Sequence, residues 1–191
     1  MKKPVVFLDR DGTINEEVGY LRQPEDLKLL PRAAEGLRLL KEAGLALVVL
    51  TNQSGIARGY FDEETLARVH ERLNELLAAQ GVELDGLYYC PHHPDEGCSC
   101  RKPKTGLAER AAEELGLDLK RAFVVGDRDV DVALGKNLGA TSVLVLTGYG
   151  RRDLSRLLSR EGKAPACVTP DMVAEDLFQA AKKILARLKR E

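Results

Sequence analysis

Short apolar runs alternate along the chain with longer segments whose apolar residues recur at helical spacing. Continuous apolar runs are typical of strands that are buried on both faces of a sheet. They predict strands at 5–8, 45–50, 87–89, 122–125 and 142–146, and an edge strand at 166–168. The intervening segments predict helices that begin near Pro31, at Asp62 and at Thr105, a short helix that ends near Gly139, and a last helix from about Met172 to Leu188.

The alternation of strands and helices predicts an α/β fold, with a three-layer, Rossmann-like parallel sheet covered by helices on both faces. A length of 191 residues suits one such unit. We therefore expect a single domain over residues 1–191, with no internal linker.

Composition narrows the classes of protein to consider. Hydrophobic residues make up 44% of the chain and charged residues 31%, and the formal net charge is -1, so the basic excess of nucleic-acid-binding proteins is absent. The sequence has neither a secretory signal pattern nor an apolar run of membrane-spanning length. The first strand follows Pro4 directly, which leaves no room for a presequence. We expect a cytoplasmic monomer that acts on a small molecule and binds neither nucleic acid nor membrane.

Two aspartates follow the first predicted strand. Asp9 and Asp11 stand one residue apart, and Gly12 after them permits a sharp turn. Adjacent carboxylates repel each other, so a fold keeps them together where a cation or a shared proton compensates their charge. Mg²⁺ suits that role, and a carboxylate can also attack phosphorus as a nucleophile. On this string alone, a pair of solvated turn residues is an equally good interpretation.

Polar side chains also follow three other predicted strands. They are Thr51 and Asn52, Arg101 and Lys102, and Asp127. Ligands of parallel α/β sheets bind outside the carboxyl ends of the strands, so all of these residues are expected at one crevice with the two aspartates. Independent polar clusters at the same edge of a sheet favour a functional site over solvated loops.

A loop rich in cysteine separates the third strand from Lys102. Cys90, Cys98 and Cys100 lie within eleven residues, together with His92 and His93. Three thiolates and one imidazole complete a tetrahedral zinc site and leave no open position for water, which is typical of a structural zinc. On spacing alone, either histidine could be the fourth ligand.

Four of these features together resemble the motifs of the haloacid dehalogenase superfamily. They are Asp9-x-Asp11-Gly12-Thr13, Thr51-Asn52, Lys102 and Gly126-Asp127-x-x-x-Asp131, in order and at plausible intervals. The resemblance implies a Mg²⁺-dependent phosphoric monoester hydrolase. It also implies a capless member of the superfamily, because the segments 14–44 and 56–100 are too short to hold a separate cap domain.

The loops are similar to one family within that superfamily, the D-glycero-D-manno-heptose 1,7-bisphosphate 7-phosphatases, over roughly residues 4–148. The matching stretches are FLDRDGTIN (7–15), Gly19-Tyr20, TNQSGIARG (51–59), YYCPHH (88–93) and CSCRKP (98–103). This similarity implies removal of the 7-phosphate during synthesis of ADP- or GDP-heptose precursors, as in lipopolysaccharide biosynthesis. The histidinol-phosphate phosphatases share several of these elements, and histidinol phosphate is therefore the alternative substrate.

The resemblance implies a role for each motif residue. Asp9 would attack phosphorus and form an aspartyl phosphate, and Asp11 would act first as general acid and then as general base. Thr51 and Lys102 would stabilise the phosphoryl group during its transfer. Magnesium would be held by Asp9, by the main-chain carbonyl of Asp11 and by Asp127.

The resemblance also selects His92 over His93, so that the structural zinc ligands would be Cys90, His92, Cys98 and Cys100. Substrate selection would fall to loop residues. These are Arg10, Glu17, Val18, Gly19, Tyr20, Asn52, Gln53, Ser54, Arg101 and Arg128.

A different class of function remains as an alternative, namely a zinc-stabilised, non-catalytic module whose aspartates only hold a metal. The full set of nucleophile, acid, lysine and metal ligands favours the enzyme.

Overall fold

The structure is a computed structural model that describes residues 2–158 and 169–190. The strands are β1 (Lys3–Leu8), β2 (Ala46–Asn52), β3 (Gly86–Cys90), β4 (Leu117–Gly126), β5 (Thr141–Val145) and β6 (Met172–Ala174). The helices are α1 (Ala33–Glu42), α2 (Glu63–Ala78), α3 (Gly106–Leu115), α4 (Asp129–Leu138), α5 (Gly150–Leu158) and α6 (Leu177–Leu188). The strands form one parallel sheet in the order β3-β2-β1-β4-β5-β6.

Successive residues of each strand point to opposite faces of the sheet and divide the core in two. Val6 and Leu8 of β1 pack in a cluster with side chains of α1, α2 and α6. Val5 and Phe7 of the same strand pack in a second cluster with side chains of α3 and α4. Each fully buried side chain of this size contributes about 1.5–3 kcal/mol to folding. Helices cover both faces, so the predicted three-layer α/β fold is confirmed.

The strand order changes direction at the centre of the sheet. β1 and β4 lie side by side there, and the chain proceeds outward from β1 through β2 and β3 but from β4 through β5 and β6. A crevice opens outside the carboxyl ends of the strands at such a switch point. Asp9 follows β1, Asp127 follows β4, and Thr51 lies near the end of β2, so the fold brings the predicted motifs to this crevice.

Two predicted helix starts have different outcomes. Asp62 caps α2, because its Oδ1 accepts a hydrogen bond from the Thr65 N–H at 2.8 Å. The predicted cap by the Thr105 side chain is wrong. The backbone of Thr105 is already helical (φ -89°, ψ -9°), and its hydroxyl donates to Glu109 Oε1 at 2.8 Å instead.

The C-terminal part of the chain also differs from the prediction. Residues near Met172 form β6, which pairs with β5, and the last helix begins only at Leu177. Asp176 caps this helix, because its Oδ1 accepts a hydrogen bond from the Gln179 N–H at 2.7 Å. Helix α5 was not predicted, because charged residues dominate its sequence. The strand expected at 166–168 lies outside the described residues.

Neither of the two segments into which a cap domain could be inserted, both within residues 2–158, forms a separate domain. The segment between β1 and α1 is a loop with a short 3₁₀ helix at Pro24–Asp26, and the segment between β2 and β3 contains α2, which packs on the sheet. The parts of the chain at 2–158 and 169–190 thus hold no second sheet. In the same ranges, no helix has the length and apolar character needed to cross a membrane.

Candidate active site

A crevice of about 630 Å³ opens at the carboxyl ends of the central strands. This volume suits a small phosphorylated metabolite. Twelve of the residues predicted to form the site line it: Asp9, Asp11, Glu17, Gly19, Tyr20, Thr51, Asn52, Gln53, Ser54, Arg101, Lys102 and Arg128. The fold therefore collects side chains from β1, β2, the loop before α3 and the start of α4.

Lys102 joins two carboxylates at the floor of this crevice. Its Nζ donates to Asp9 Oδ1 at 2.8 Å and to Asp131 Oδ1 at 2.7 Å, and the side chain is 3% exposed. Burial disfavours the ammonium, but the carboxylates of Asp131 and Asp9 outweigh it and raise the pKa of Lys102. Asn52 holds the Lys102 backbone, since its Oδ1 accepts the N–H at 3.1 Å and its Nδ2 donates to the carbonyl at 3.3 Å.

Asp9, Asp127 and Asp131 form a carboxylate cluster whose oxygens lie within 4.8 Å of one another. If all three carboxylates were ionised, the one lysine would leave two negative charges uncompensated. Burial and the charges of Asp9 and Asp131 accordingly raise the pKa of Asp127 to about 9. Asp127 Oδ1 is also buried without a hydrogen-bond partner. A partnerless oxygen in a cluster of this charge fits a divalent cation that prefers oxygen ligands, such as Mg²⁺.

Two glycines make space for Asp127. A Cβ atom added to Gly12 or to Gly148 would lie 2.2 Å from Asp127 Oδ2, and both glycines have positive φ, 79° and 51°. Asp127 Oδ2 in turn accepts the N–H of Tyr149 at 2.8 Å. The main chain thus fixes Oδ2 of Asp127, whereas Oδ1 has no hydrogen-bond partner.

Asp11 has a separate set of partners. Arg10 Nη2 donates to its Oδ2 at 2.8 Å, Asn15 Nδ2 to its Oδ1 at 2.9 Å and Gln53 Nε2 to its Oδ2 at 3.1 Å. Burial acts to raise the pKa of Asp11, but Arg10 and the hydrogen bonds of Asn15 and Gln53 hold it below the usual 3.8. These donors hold the Asp11 carboxylate in place and favour its ionised form, and Asp11 is not part of the carboxylate cluster.

Two residues predicted to bind substrate lie elsewhere. Arg10 is completely buried and does not line the crevice, because its guanidinium is engaged by Asp11 and by His70 of α2. Val18 is 50% exposed and lines a neighbouring groove instead. Neither side chain lines the crevice, and their roles in binding substrate stay predictions.

Thr51 and Gln53 are linked at the end of β2. Thr51 is 1% exposed, and its Oγ1 accepts a hydrogen bond from Gln53 Nε2 at 2.8 Å. A hydroxyl has one hydrogen to donate, and that of Thr51 remains available for a ligand oxygen. Gln53 thus connects the Thr51 hydroxyl to the carboxylate of Asp11.

The rim of the crevice carries cationic and aromatic side chains. The guanidinium of Arg128 lies 5.0 Å from the centre of the Tyr149 ring, and its Nε lies 3.5 Å from Asp153 on α5. Arg101 Nη1 donates to the carbonyl of His92 at 3.4 Å, so it is attached to the cysteine loop. Both arginines are thereby held at the opening of the crevice.

The loop after β1 also lines the crevice. Gly19 has a φ of 81°, and its N–H donates to Glu17 Oε1 at 2.6 Å. Tyr20 is half-exposed and meets the Tyr60 ring edge-to-face at 4.6 Å between centroids. These contacts fold the loop over one side of the crevice.

The cysteine loop brings four candidate ligands together. The Sγ atoms of Cys90, Cys98 and Cys100 lie 3.1–3.6 Å apart, and His92 Nδ1 lies 3.2 Å from Cys100 Sγ and 3.5 Å from Cys90 Sγ. Ligand atoms of a zinc tetrahedron are separated by about 3.3–3.8 Å. His93 is not part of the cluster, because its ring caps the short helix Pro94–Glu96 through the Asp95 N–H.

The sequence analysis gave no role to some residues of the site. Asp131 was part of a quoted motif, yet its contact with Lys102 and its place in the metal cluster were not predicted. Asp131 follows Asp127 by four residues, across the start of a helix, and this spacing was the feature of the sequence that could have indicated its role. Tyr149 and Asp153 belong to an unpredicted helical region and carried no signal of their own.

Comparison with known proteins identifies the family. The model described as haloacid dehalogenase-like hydrolase matches residues 3–139, and one described as HAD-hydrolase-like matches residues 99–180. The chain is 43% identical to the D-glycero-beta-D-manno-heptose-1,7-bisphosphate 7-phosphatase of Yersinia pestis, over 97% of each chain. It is 42% identical to the corresponding phosphatase of Thermosynechococcus vestitus, over 98% of each chain.

A solved structure leads to the same family. The D,D-heptose 1,7-bisphosphate phosphatase of B. bronchiseptica, complexed with magnesium and phosphate, superposes with a TM-score of 0.84 at 36% identity and covers 98% of this chain and 99% of its own. The resemblance inferred from the four motifs is confirmed. The chain belongs to the haloacid dehalogenase-like hydrolase family.

Proposed function

We propose that this protein is a Mg²⁺-dependent phosphatase that removes the 7-phosphate of D-glycero-D-manno-heptose 1,7-bisphosphate. The observation that carries the proposal is the pairing of two differently held carboxylates at the switch point of the sheet. Asp9 is bound to Lys102, whereas Asp11 is held by neutral and cationic donors outside the metal cluster. The names of the full-length relatives support the heptose substrate.

The two carboxylates divide the reaction between them. The anionic phosphate, once bound, favours the protonated form of Asp11. Asp9 attacks the phosphorus, the bond from phosphorus to the sugar oxygen breaks, and Asp11 gives its proton to that oxygen. Water then attacks the aspartyl phosphate and gives its proton to Asp11. This step releases inorganic phosphate and restores both carboxyl groups. Lys102 and the Thr51 hydroxyl stabilise the charge on the transferring phosphoryl oxygens.

A divalent cation would be held by Asp9 and Asp127, with the carbonyl of Asp11 as a further ligand. When bound, it neutralises charge that otherwise repels the phosphate. Asp131 binds Lys102 on the other side and belongs to the same cluster. The histidine and thiolates of the cysteine loop would hold a structural zinc, which fixes the segment leading from Cys100 to Lys102.

The rim supplies groups for a second anionic centre. Arg101 and Arg128 stand at the mouth of the crevice, where they could pair with the phosphate that remains on the product. Glu17 and Tyr20 also line the crevice and offer partners for sugar hydroxyls. A bisphosphate would use these arginines as well as the carboxylates and Lys102 at the floor, whereas a substrate with a single phosphate would not.

The substrate assignment is tested by side-by-side kinetics. We expect kcat/KM for the heptose bisphosphate, measured on both anomers, to exceed that for histidinol phosphate. The Arg101→Ala variant should lose more kcat/KM on the bisphosphate than on a generic aryl phosphate, because it removes binding energy supplied by the sugar phosphate. Equal or higher efficiency on histidinol phosphate would overturn the ranking.

We also propose that residues 1–191 act as one catalytic domain and as a cytoplasmic monomer. Sedimentation equilibrium of the active protein should then give a mass near 21.0 kDa. A dimer mass at the concentrations used for assays would contradict this part of the proposal.

A further inference from the structure

A buried pair of side chains lies behind the carboxylate of Asp11. Arg10 is completely buried, and His70 on α2 is 9% exposed. Arg10 Nη1 lies 3.0 Å from His70 Nε2, while Arg10 Nε and Nη2 donate to Asp11 Oδ1 at 3.2 and 3.0 Å and Nη2 also to Oδ2 at 2.8 Å. The guanidinium therefore connects a helix to the proposed acid–base residue across sixty positions of sequence.

The chemistry of the pair determines which nitrogen of His70 carries the proton. Arginine has donors only and stays protonated in proteins, so His70 Nε2 must be the acceptor and Nδ1 carries the proton. Burial and the charge of Arg10 agree with this assignment, because they lower the pKa of His70 to about 3. His70 is thus neutral at the pH of any ordinary assay.

Arg10 is also the partner that contacts both oxygens of Asp11. Asn15 donates to Oδ1, and Gln53 donates to Oδ2. A planar guanidinium that binds both oxygens sets the plane of the carboxylate, which a single donor cannot do. If His70 did not accept from Nη1, a buried N–H of the cation would lose its partner, and the guanidinium would have to turn to find another.

We propose that His70 is a positioning residue for catalysis: it anchors Arg10, and Arg10 holds Asp11 in the orientation needed for proton transfer to the leaving oxygen. The inference rests on the proposed phosphatase mechanism and adds to it a residue from α2, outside the four motifs. Small errors in the placement of a reacting group cost catalysis heavily, about 100-fold for a shift of 1 Å. The side chain of His70 touches neither substrate nor metal ligands.

The test compares His70→Leu with His70→Gln on two kinds of phosphate ester. Leucine removes the acceptor, whereas glutamine can place an accepting oxygen close to the position of Nε2. On an alkyl phosphate ester such as a sugar phosphate, whose alkoxide needs a proton, we expect His70→Leu to lower kcat/KM about 10–100-fold. On p-nitrophenyl phosphate, whose leaving group departs as a stable anion, the loss should stay below about threefold. His70→Gln should restore most of the alkyl phosphate activity.

A control variant in the same helix separates the effect of lost stability from the effect of lost positioning. Val69→Ala removes buried apolar volume next to His70 without a contact to Arg10, and it should lower the melting temperature without a leaving-group-dependent loss. If His70→Leu does not fold, His70→Asn replaces it, because asparagine is polar but too short to reach the guanidinium. His70→Asn should then be impaired where His70→Gln is not.

Two results would overturn the inference. One is an equal loss of kcat/KM on both kinds of ester in the leucine or asparagine variant, and the other is a glutamine variant as impaired as these. The ratio of variant to wild type can be measured on any alkyl phosphate that the wild type hydrolyses. Failure of the heptose bisphosphate as a substrate would therefore refute the substrate assignment and leave this comparison intact.

Discussion

Asp9 is the residue on which the proposed chemistry depends most directly. We expect Asp9→Asn to lower phosphate release by more than about 10³-fold, because an amide keeps the shape of the side chain but cannot form the acyl phosphate. The variant should remain folded, since the amide oxygen can still accept from Lys102 Nζ. Phosphate-release assays and thermal unfolding together check both parts. Turnover near the wild-type rate would refute the nucleophile.

Asp127 provides a test of the metal that is separate from the nucleophile. In Asp127→Asn the amide oxygen can keep the hydrogen bond from Tyr149 N, but the side chain can no longer ionise to hold a cation. We expect the affinity for Mg²⁺ to fall by at least about 100-fold, measured by calorimetric titration of the protein without substrate.

A neighbouring aspartate is the matched control for this experiment. Asp129 stands two positions away at the start of α4, where its Oδ1 accepts the Val130 N–H at 2.8 Å, and it is not part of the carboxylate cluster. Asp129→Asn should bind Mg²⁺ like the wild type. Equal weakening in both variants would mean that the general negative charge of the loop, and not a ligand, attracts the cation.

The cysteine loop is the element whose function can be separated from folding. Cys98→Ser should release the proposed zinc and loosen the segment that carries Arg101 and Lys102. Cys98 packs at the edge of one core cluster, whereas the other cluster contains no residue of the loop, so the sheet should stay folded. We expect kcat to fall more than tenfold, since Lys102 serves the transition state, and the melting temperature to fall by less than about 5 °C. Metal analysis of the purified protein should give one zinc per chain.

Ser99→Ala is the control for the loop. Ser99 lies between two of the ligands, and its main-chain carbonyl accepts from the Gly106 N–H, a bond that alanine keeps. Its activity and zinc content should match the wild type. Full activity in a Cys98→Ser, Cys100→Ser double variant would remove any role for zinc in positioning Lys102.

At the opposite end of the sheet, Asp85 joins β2 to α1. Its Oδ2 accepts from the Leu47 N–H and from Lys41 Nζ, both at 2.8 Å, and its Oδ1 pairs with Lys3 at 3.3 Å. Burial acts to raise the pKa of Asp85, but Lys41 and the other donors lower it below 3.8. We expect Asp85→Asn to lower the free energy of unfolding at pH 7 by about 1–2 kcal/mol.

The sign of the pH dependence of this effect follows from linkage. Because the pKa is lower in the folded than in the unfolded state, the ionised group stabilises the fold above the unfolded pKa of about 3.9 and loses that effect as the pH falls through the folded pKa. The difference between wild type and Asp85→Asn, measured by denaturant titration, should therefore shrink below about pH 4. A difference that stays constant from pH 7 to pH 3 would contradict the assignment.

At the scale of the whole molecule, the sequence predicted the sheet and the location of the site better than the details of either. Continuous apolar runs and their polar ends locate the crevice, since parallel strands place those ends at one edge. The inward position of Arg10 could not be predicted, because it depends on an acceptor from α2 sixty positions away. Helix α5 was missed for a related reason: its buried Asp153 pairs with arginines that look like ordinary surface charges in the sequence.

The uncompensated charge at the floor of the crevice has a consequence for the order in which ligands arrive. In the cation-free site Asp127 is protonated, but the carboxylates of Asp9 and Asp131 still outweigh the one lysine and repel a phosphate dianion. We therefore expect the cation to bind before the substrate. We expect calorimetry to detect binding of inorganic phosphate only in the presence of Mg²⁺, and initial-rate patterns to follow an ordered sequence with the metal first. Phosphate binding of equal strength in a chelator would contradict this order.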